Sequence, residues 1–164
     1  RHYYSYQKLS DDGSKIDILF YFTKRGACQW IEQEYDSCVL DETAQQQLET
    51  MVEGLVAVGN QILTNSKVND LTFNAVHVAV DESYDETSNA NTEDVLNHIT
   101  SATDGFLDNA HSLRDEFSAD LVAGIIGIYS QSDQSARGIG WTPTIFPSRS
   151  MGFSVTGGNY PFVS

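Results

Sequence analysis

Basic residues are scarce in this chain. Nine Lys and Arg stand against 23 Asp and Glu, giving a net charge of −14 over 164 residues. Such a field repels nucleic acid and anionic bilayers, so neither is an expected partner. Cysteine is nearly absent, with Cys28 and Cys38 as the only two. A lone pair cannot make a zinc knuckle, which needs further ligands. It suits a disulfide, which implies an oxidising extracellular or lumenal compartment; two free thiols in a cytosolic protein are the alternative. Long apolar runs are missing as well. The most apolar stretch, Ala119 to Tyr129, is too short to span a bilayer, so membrane insertion is not expected. There is no secretory hydrophobic segment and no initiator Met, and Arg1 suggests a processed or truncated start. No Gly-rich phosphate loop, Ser-His-Asp set or Cys-His pair can be assembled, and no internal repeat or low-complexity tract is visible.

What the chain does contain is alternating strand and helix signals, enough for one domain. Residues 1–14 are polar and aromatic without periodicity and read as a lead-in; residues 15–164 form the domain. Lys15 to Thr23, KIDILFYFT, is β-branched and aromatic, a strand. Lys24 to Val39 reads as irregular. Asp41 caps a long helix whose apolar stripe is Leu48, Met51, Val52, Leu55, Val58, Ile62 and Leu63. Gly54 and Gly59 weaken that helix but let it lie close to a sheet. Leu71 to Val80 is a second strand, followed by an acidic loop. Asn91 or Thr92 opens a short helix through Ala102. Asp104 reads as the N-cap of another, with Phe106, Leu107, Ala110, Leu113 and Phe117 at helical spacing. Arg114 near its end suits the macrodipole. Ala119 to Tyr129 then predicts a strand buried on both faces, with Leu121, Val122, Ile125 and Ile126 in the core. Arg137 to Thr142 suits a short edge strand, where antiparallel pairing is open to it, and Gly152 to Val155 a last one. The pattern predicts an α/β fold: a mostly parallel twisted sheet of about five strands with helices packed on it.

That order and several strings resemble the N-terminal subdomain of a metzincin zinc metallopeptidase, of the reprolysin-like, peptidyl-Asp type. The matching strings are IDILFYFT, DGFLDNAHSLRDEFSADLVAGIIG, GIGW, and GFSV followed by NYPFVS. The resemblance implies a zinc-dependent endopeptidase. It also implies a zinc helix, H-E-x-x-H, beginning after Ser164, so zinc is expected only if that segment follows. In that family the Glu of this motif acts as general base on a metal-bound water. Within the 164 residues no catalytic residue and no metal ligand is expected. His2, His77, His98 and His111 form no H-x-x-x-H and are expected to be satisfied locally, His77 on the strand face that carries Phe73, Ala75 and Ala79. Relatives commonly carry a Cys before the GIGW-like strand and another after FSV. Here Arg137 and Thr156-Gly157-Gly158 stand in those places, as for a lost disulfide pair.

The resemblance assigns peptide binding to the edge strand. An extended substrate adds antiparallel to it, and Gly138 and Gly140 let another backbone approach, with Ile139 and Trp141 between and beyond them. The partner is then a peptide or protein substrate. Alternatively, the chain is a non-catalytic, metalloprotease-like binding or structural subunit. If the zinc helix is missing, a protein partner would cover the sheet near Phe153, Val155, Tyr160 and Phe162. Asp81, Ser83, Asp85, Thr87 and Asn89 alternate like the ligands of a calcium loop, but Glu86 stands where a Gly is required and Thr92 where a bidentate Glu is required. A solvated acidic loop is the expectation. Glu42, Glu49 and Glu53 read as a charged helix face.

Overall fold

The computed structural model describes residues 13–84, 86, 91–127, 138–141 and 151–157. Their elements are β1 (Lys15–Thr23), α1 (Lys24–Trp30), α2 (Glu42–Asn65), β2 (Thr72–Asp81), α3 (Thr92–Thr100), α4 (Asn109–Glu116), β3 (Leu121–Ile126), β4 (Gly138–Gly140) and β5 (Phe153–Gly157), with a 3-10 turn at Tyr35–Ser37. The strands form one sheet in the order β2-β1-β3-β5-β4. All pairings are parallel except that of β4 with β5. This is the α/β architecture the sequence predicts, with the short Gly-flanked strand at one edge.

Strand alternation divides the core into two layers. Leu19, Tyr21, Val122, Ile126, Phe153 and Val155 meet Val95, Leu96 and Ile99 of α3 and Ala110 of α4. Phe20, Phe22 and Ile125 point the other way, onto Ala27, Trp30, Leu48 and Val52 of α1 and α2. Phe22 and Trp30 meet edge to face at 5.0 Å. Each such fully buried side chain contributes about 1.5–3 kcal/mol. Two predicted caps are present. Asp41 accepts a hydrogen bond from the Ala44 N–H at 2.9 Å, and Asn91 accepts from the Asp94 N–H at 2.8 Å. Each satisfies one of the donors a helix start leaves without a partner.

Several expectations need correction. Lys24 to Trp30 is helical, because the Thr23 hydroxyl accepts from the Gly26 N–H and turns β1 directly into α1. Asp104 does not cap α4. Its carboxylate accepts from the Phe106 N–H in a local turn, and Leu107 follows in the left-handed region at φ 55°, so the helix starts only at Asn109. The stripe on α2 is buried at Leu48 and Val52 but exposed at Val58 and Ile62. Gly59, between those two, lies against the Phe73 ring instead. In β3, Val122, Ile125 and Ile126 are buried, whereas Leu121 is 39% exposed. It opens the strand, and α1 covers that face only further along, at Ile125. Val76 is an extra residue opposite β1, and this bulge reverses the alternation of β2. Phe73 and Ala75 therefore face α2, while His77 stacks on Phe117 at 4.0 Å on the other side.

Arg114 is buried at the end of α4. Its guanidinium donates to the carbonyls of Ala119 and Asp120 and lies over the Phe153 ring at 5.0 Å. It ties the helix to the start of β3 and to β5.

Cys28 and Cys38 are bonded, with Cα atoms 5.9 Å apart, joining α1 to the segment that leads into α2. Closing this loop is worth roughly 2–3 kcal/mol in the chain-entropy model. Non-reduced protein should show no alkylatable thiol by mass spectrometry. A double Cys→Ser variant should lose stability by that amount. Two free thiols, or coincident melts, would contradict the bond's role.

Candidate functional site

A doubly wound sheet offers its default crevice where the chain's crossovers diverge, at the carboxyl ends of the strands. Here β1 leads to β2 on one side, and β2 returns to β3 on the other. The crevice between β1 and β3 is filled by the chain itself. Glu86, 4% exposed, accepts from the Gly127 N–H at 2.9 Å and from the Thr23 hydroxyl. A carboxylate of this protein thus stands where such folds receive an anionic ligand.

Among the described residues of the loop that carries Glu86, Glu82 and Ser83 are exposed, as expected of a solvated loop, but Tyr84 and Glu86 are buried. The loop's first residue is not poised for calcium. One Asp81 carboxylate oxygen accepts from the Ser83 N–H, the Ser83 hydroxyl and the Tyr84 N–H, and the other from the Tyr21 hydroxyl at 2.9 Å. Burial alone would raise the Asp81 pKa, but these hydrogen bonds outweigh it and hold the carboxyl below its usual range. Asp85, Thr87 and Asn89 lie outside the described residues.

Burial, reinforced by the charges of Glu86, Asp94 and Asp104, pushes the Tyr84 phenol up to about 12; burial and Asp81 raise Tyr21 too. A raised tyrosine favours the neutral form in the folded state. Its stabilisation is complete below the unfolded value, about 10, and fades as pH climbs through the folded one. Alkaline unfolding should therefore set in above pH ~10. Tyr84→Phe should shift its midpoint upward, as followed by circular dichroism. An unmoved midpoint would contradict the assignment.

The described histidines are each engaged apart from one another. His77 stacks on Phe117; the His98 Nδ1 meets the Tyr84 hydroxyl at 2.9 Å; the His111 Nε2 meets the Ile99 carbonyl at 3.1 Å. His2 lies outside the described residues. Among the described residues, no group of three His, Cys, Asp or Glu side chains could hold a metal ion. Glu42, Glu49 and Glu53 are exposed on α2.

The four residues singled out for peptide binding are brought together at the sheet edge. β4 pairs with β5 as Gly138 to Thr156, Ile139 to Val155 and Gly140 to Ser154. The Trp141 N–H donates to the Phe153 carbonyl at 3.4 Å. Antiparallel strands alternate between bonded and non-bonded pairs. With Trp141 turned to β5, Ile139 is also turned to β5. The N–H and C=O groups of Gly138 and Gly140 then face away from the sheet. Ile139 packs against the core, and the Trp141 indole N–H donates to the Thr100 hydroxyl at 2.8 Å while its ring stays 40% exposed. That bond fixes the ring over the end of α3, a placement that sequence spacing does not disclose.

The opposite edge, β2, is partly occupied by side chains of α2. The Asn60 side chain accepts from the Phe73 N–H at 2.7 Å and donates to the Phe73 carbonyl at 2.9 Å. Gln45 donates to the Val78 carbonyl at 2.9 Å. Amides from α2 thus occupy three of the backbone groups along this edge, at Phe73 and Val78.

Bare apolar sheet near Phe153 is not what forms. Phe153 and Val155 are 2% and 0% exposed. His111 and Arg114 of α4 lie against the Phe153 ring, so the chain covers this face with its own helices. Tyr160 and Phe162 lie outside the described residues. No helix among the described residues is long and apolar enough to cross a membrane.

No protein-family model matches the chain, and no curated protein matches it. Among solved structures 24 chains match. One comes from a structure of a chaperone-substrate complex, with a TM-score of 0.56 and 16% identity. The match covers 92% of this chain and 21% of that one, so this chain spans about a fifth of its length. Likeness at that identity speaks to the fold.

Proposed function

We propose that this chain is the substrate-strand portion of a zinc-dependent metalloendopeptidase of the metzincin type. In this reading Gly138, Ile139, Gly140 and Trp141 hold an extended peptide by backbone pairing. The observation that carries it is the contrast between the two sheet edges: on β2 Asn60 and Gln45 take up backbone groups of Phe73 and Val78, whereas on β4 the outward glycine backbone meets no such side chain among the described residues. Extended peptides bind to such an edge through main-chain hydrogen bonds. Zinc, held by a helix supplied beyond Ser164, would activate the attacking water. In this reading the residues of β4 bind and align the scissile segment, and the base and metal ligands come from that helix. The disulfide supports an extracellular or lumenal setting.

Amide exchange by NMR, with and without an excess of an unstructured decapeptide, tests the assignment. Protection should rise at Gly138 and Gly140 and stay unchanged at Phe73. Protection at β2 instead, or nowhere, would overturn the reading.

A further inference from the structure

We infer that the peptide taken by β4 is cationic and carries large apolar side chains, aromatic ones foremost, on the alternate residues opposite Gly138 and Gly140. The inference rests on β4 being the strand-addition edge and adds the side-chain preference. A Cβ built on Gly138 would point at the Thr156 hydroxyl, 3.3 Å away, and one on Gly140 at the Ser154 Cβ, 3.2 Å away. Both glycines therefore lack their side chains on the face of Ser154 and Thr156, opposite to Ile139. That face is open: Thr156 is exposed and so is Leu121 on β3. Residues paired across two strands place their side chains on one face. A peptide residue opposite either glycine would thus lie over bare β4 backbone, with only the small Ser154 and Thr156 side chains of β5 beyond it. A large flat ring covers that backbone from water, as aromatic residues do beside glycine in designed sheets. The intervening peptide residue points to the Ile139 side, where packed core and the Trp141 ring leave less room. Charge sets the other half of the preference. With a net charge of −14 the chain attracts cationic peptides and repels acidic ones.

The test uses three end-blocked decapeptides of alternating sequence, Lys-Tyr, Lys-Ala and Glu-Tyr, titrated into the isotope-labelled 164-residue chain while the Gly138 and Gly140 amides are followed. Lys-Tyr should bind about 10-fold tighter than Lys-Ala, the sum of two cross-strand pairs. Glu-Tyr should bind weakest. In Gly138→Val and Gly140→Val, each tested for a native melt, the advantage of Tyr over Ala should shrink to about 3-fold or less. Equal affinity for Lys-Tyr and Lys-Ala, Glu-Tyr binding as tightly as Lys-Tyr, or an undiminished advantage in a folded valine variant overturns this inference and leaves the edge reading standing. If no peptide shifts either glycine amide, the edge reading fails with it.

Discussion

Replacing Gly26 with alanine is expected to cost about 3 kcal/mol or more. Small domains have only about 5–15 kcal/mol in hand. Gly26 sits in the first turn of α1, its N–H held by the Thr23 hydroxyl at 3.1 Å. A Cβ there would collide with the Ile125 carbonyl oxygen and come within 3.1 Å of the Ile126 carbonyl carbon. Both belong to β3 at the centre of the sheet, where backbone cannot give way as a side chain can. The cap would have to break or β1 and β3 would have to part. Urea melts followed by circular dichroism would show the loss, and coincident curves for the two proteins would contradict the packing of α1 on β3.

Glu86→Ala should be comparably damaging, at about 3 kcal/mol. The change strands the buried Gly127 N–H, leaves the Thr23 hydroxyl only the longer contact to the Ile125 carbonyl at 3.4 Å, and opens a gap at the ends of β1 and β3. Each buried donor left without an acceptor costs about 1–3 kcal/mol, before the cavity is counted. Glu86→Gln keeps one acceptor oxygen and should cost less than half as much. Equal losses in the two variants would mean that glutamine, though it fills the same volume, cannot stand in for the carboxylate that accepts these bonds.

Much of the fold was legible because it follows from local chemistry. The β-branched and aromatic run of β1, the caps Asp41 and Asn91, and the apolar run of β3 each act over a few residues. Features that depend on distant partners were not legible. Glu86 looks like one more acidic loop residue until Gly127, far along the chain, offers its N–H. The bulge at Val76, which reverses His77, exists only in register with Ile18 and Leu19. Helix α1 is seven residues with a glycine inside, too short for periodicity to show. Asp104 followed by Gly105 looks like a helix start, yet the positive φ of Leu107 postpones the helix. The candidate site divides the same way. Gly138, Ile139, Gly140 and Trp141 stood out as a short Gly-flanked edge strand. That Asn60 and Gln45 take up backbone groups of the other edge, and that Thr100 anchors Trp141, depends on contacts far apart in sequence.

The central claim is tested most directly by zinc content and peptide hydrolysis, measured together on the 164-residue chain and on a form extended through whatever follows Ser164. One zinc per chain and peptide cleavage are expected in the extended form, and neither in the shorter one. One zinc per chain in the shorter form would contradict that claim. So would an extended form without zinc or activity, and a non-catalytic binding or structural subunit would then take the place of the enzyme.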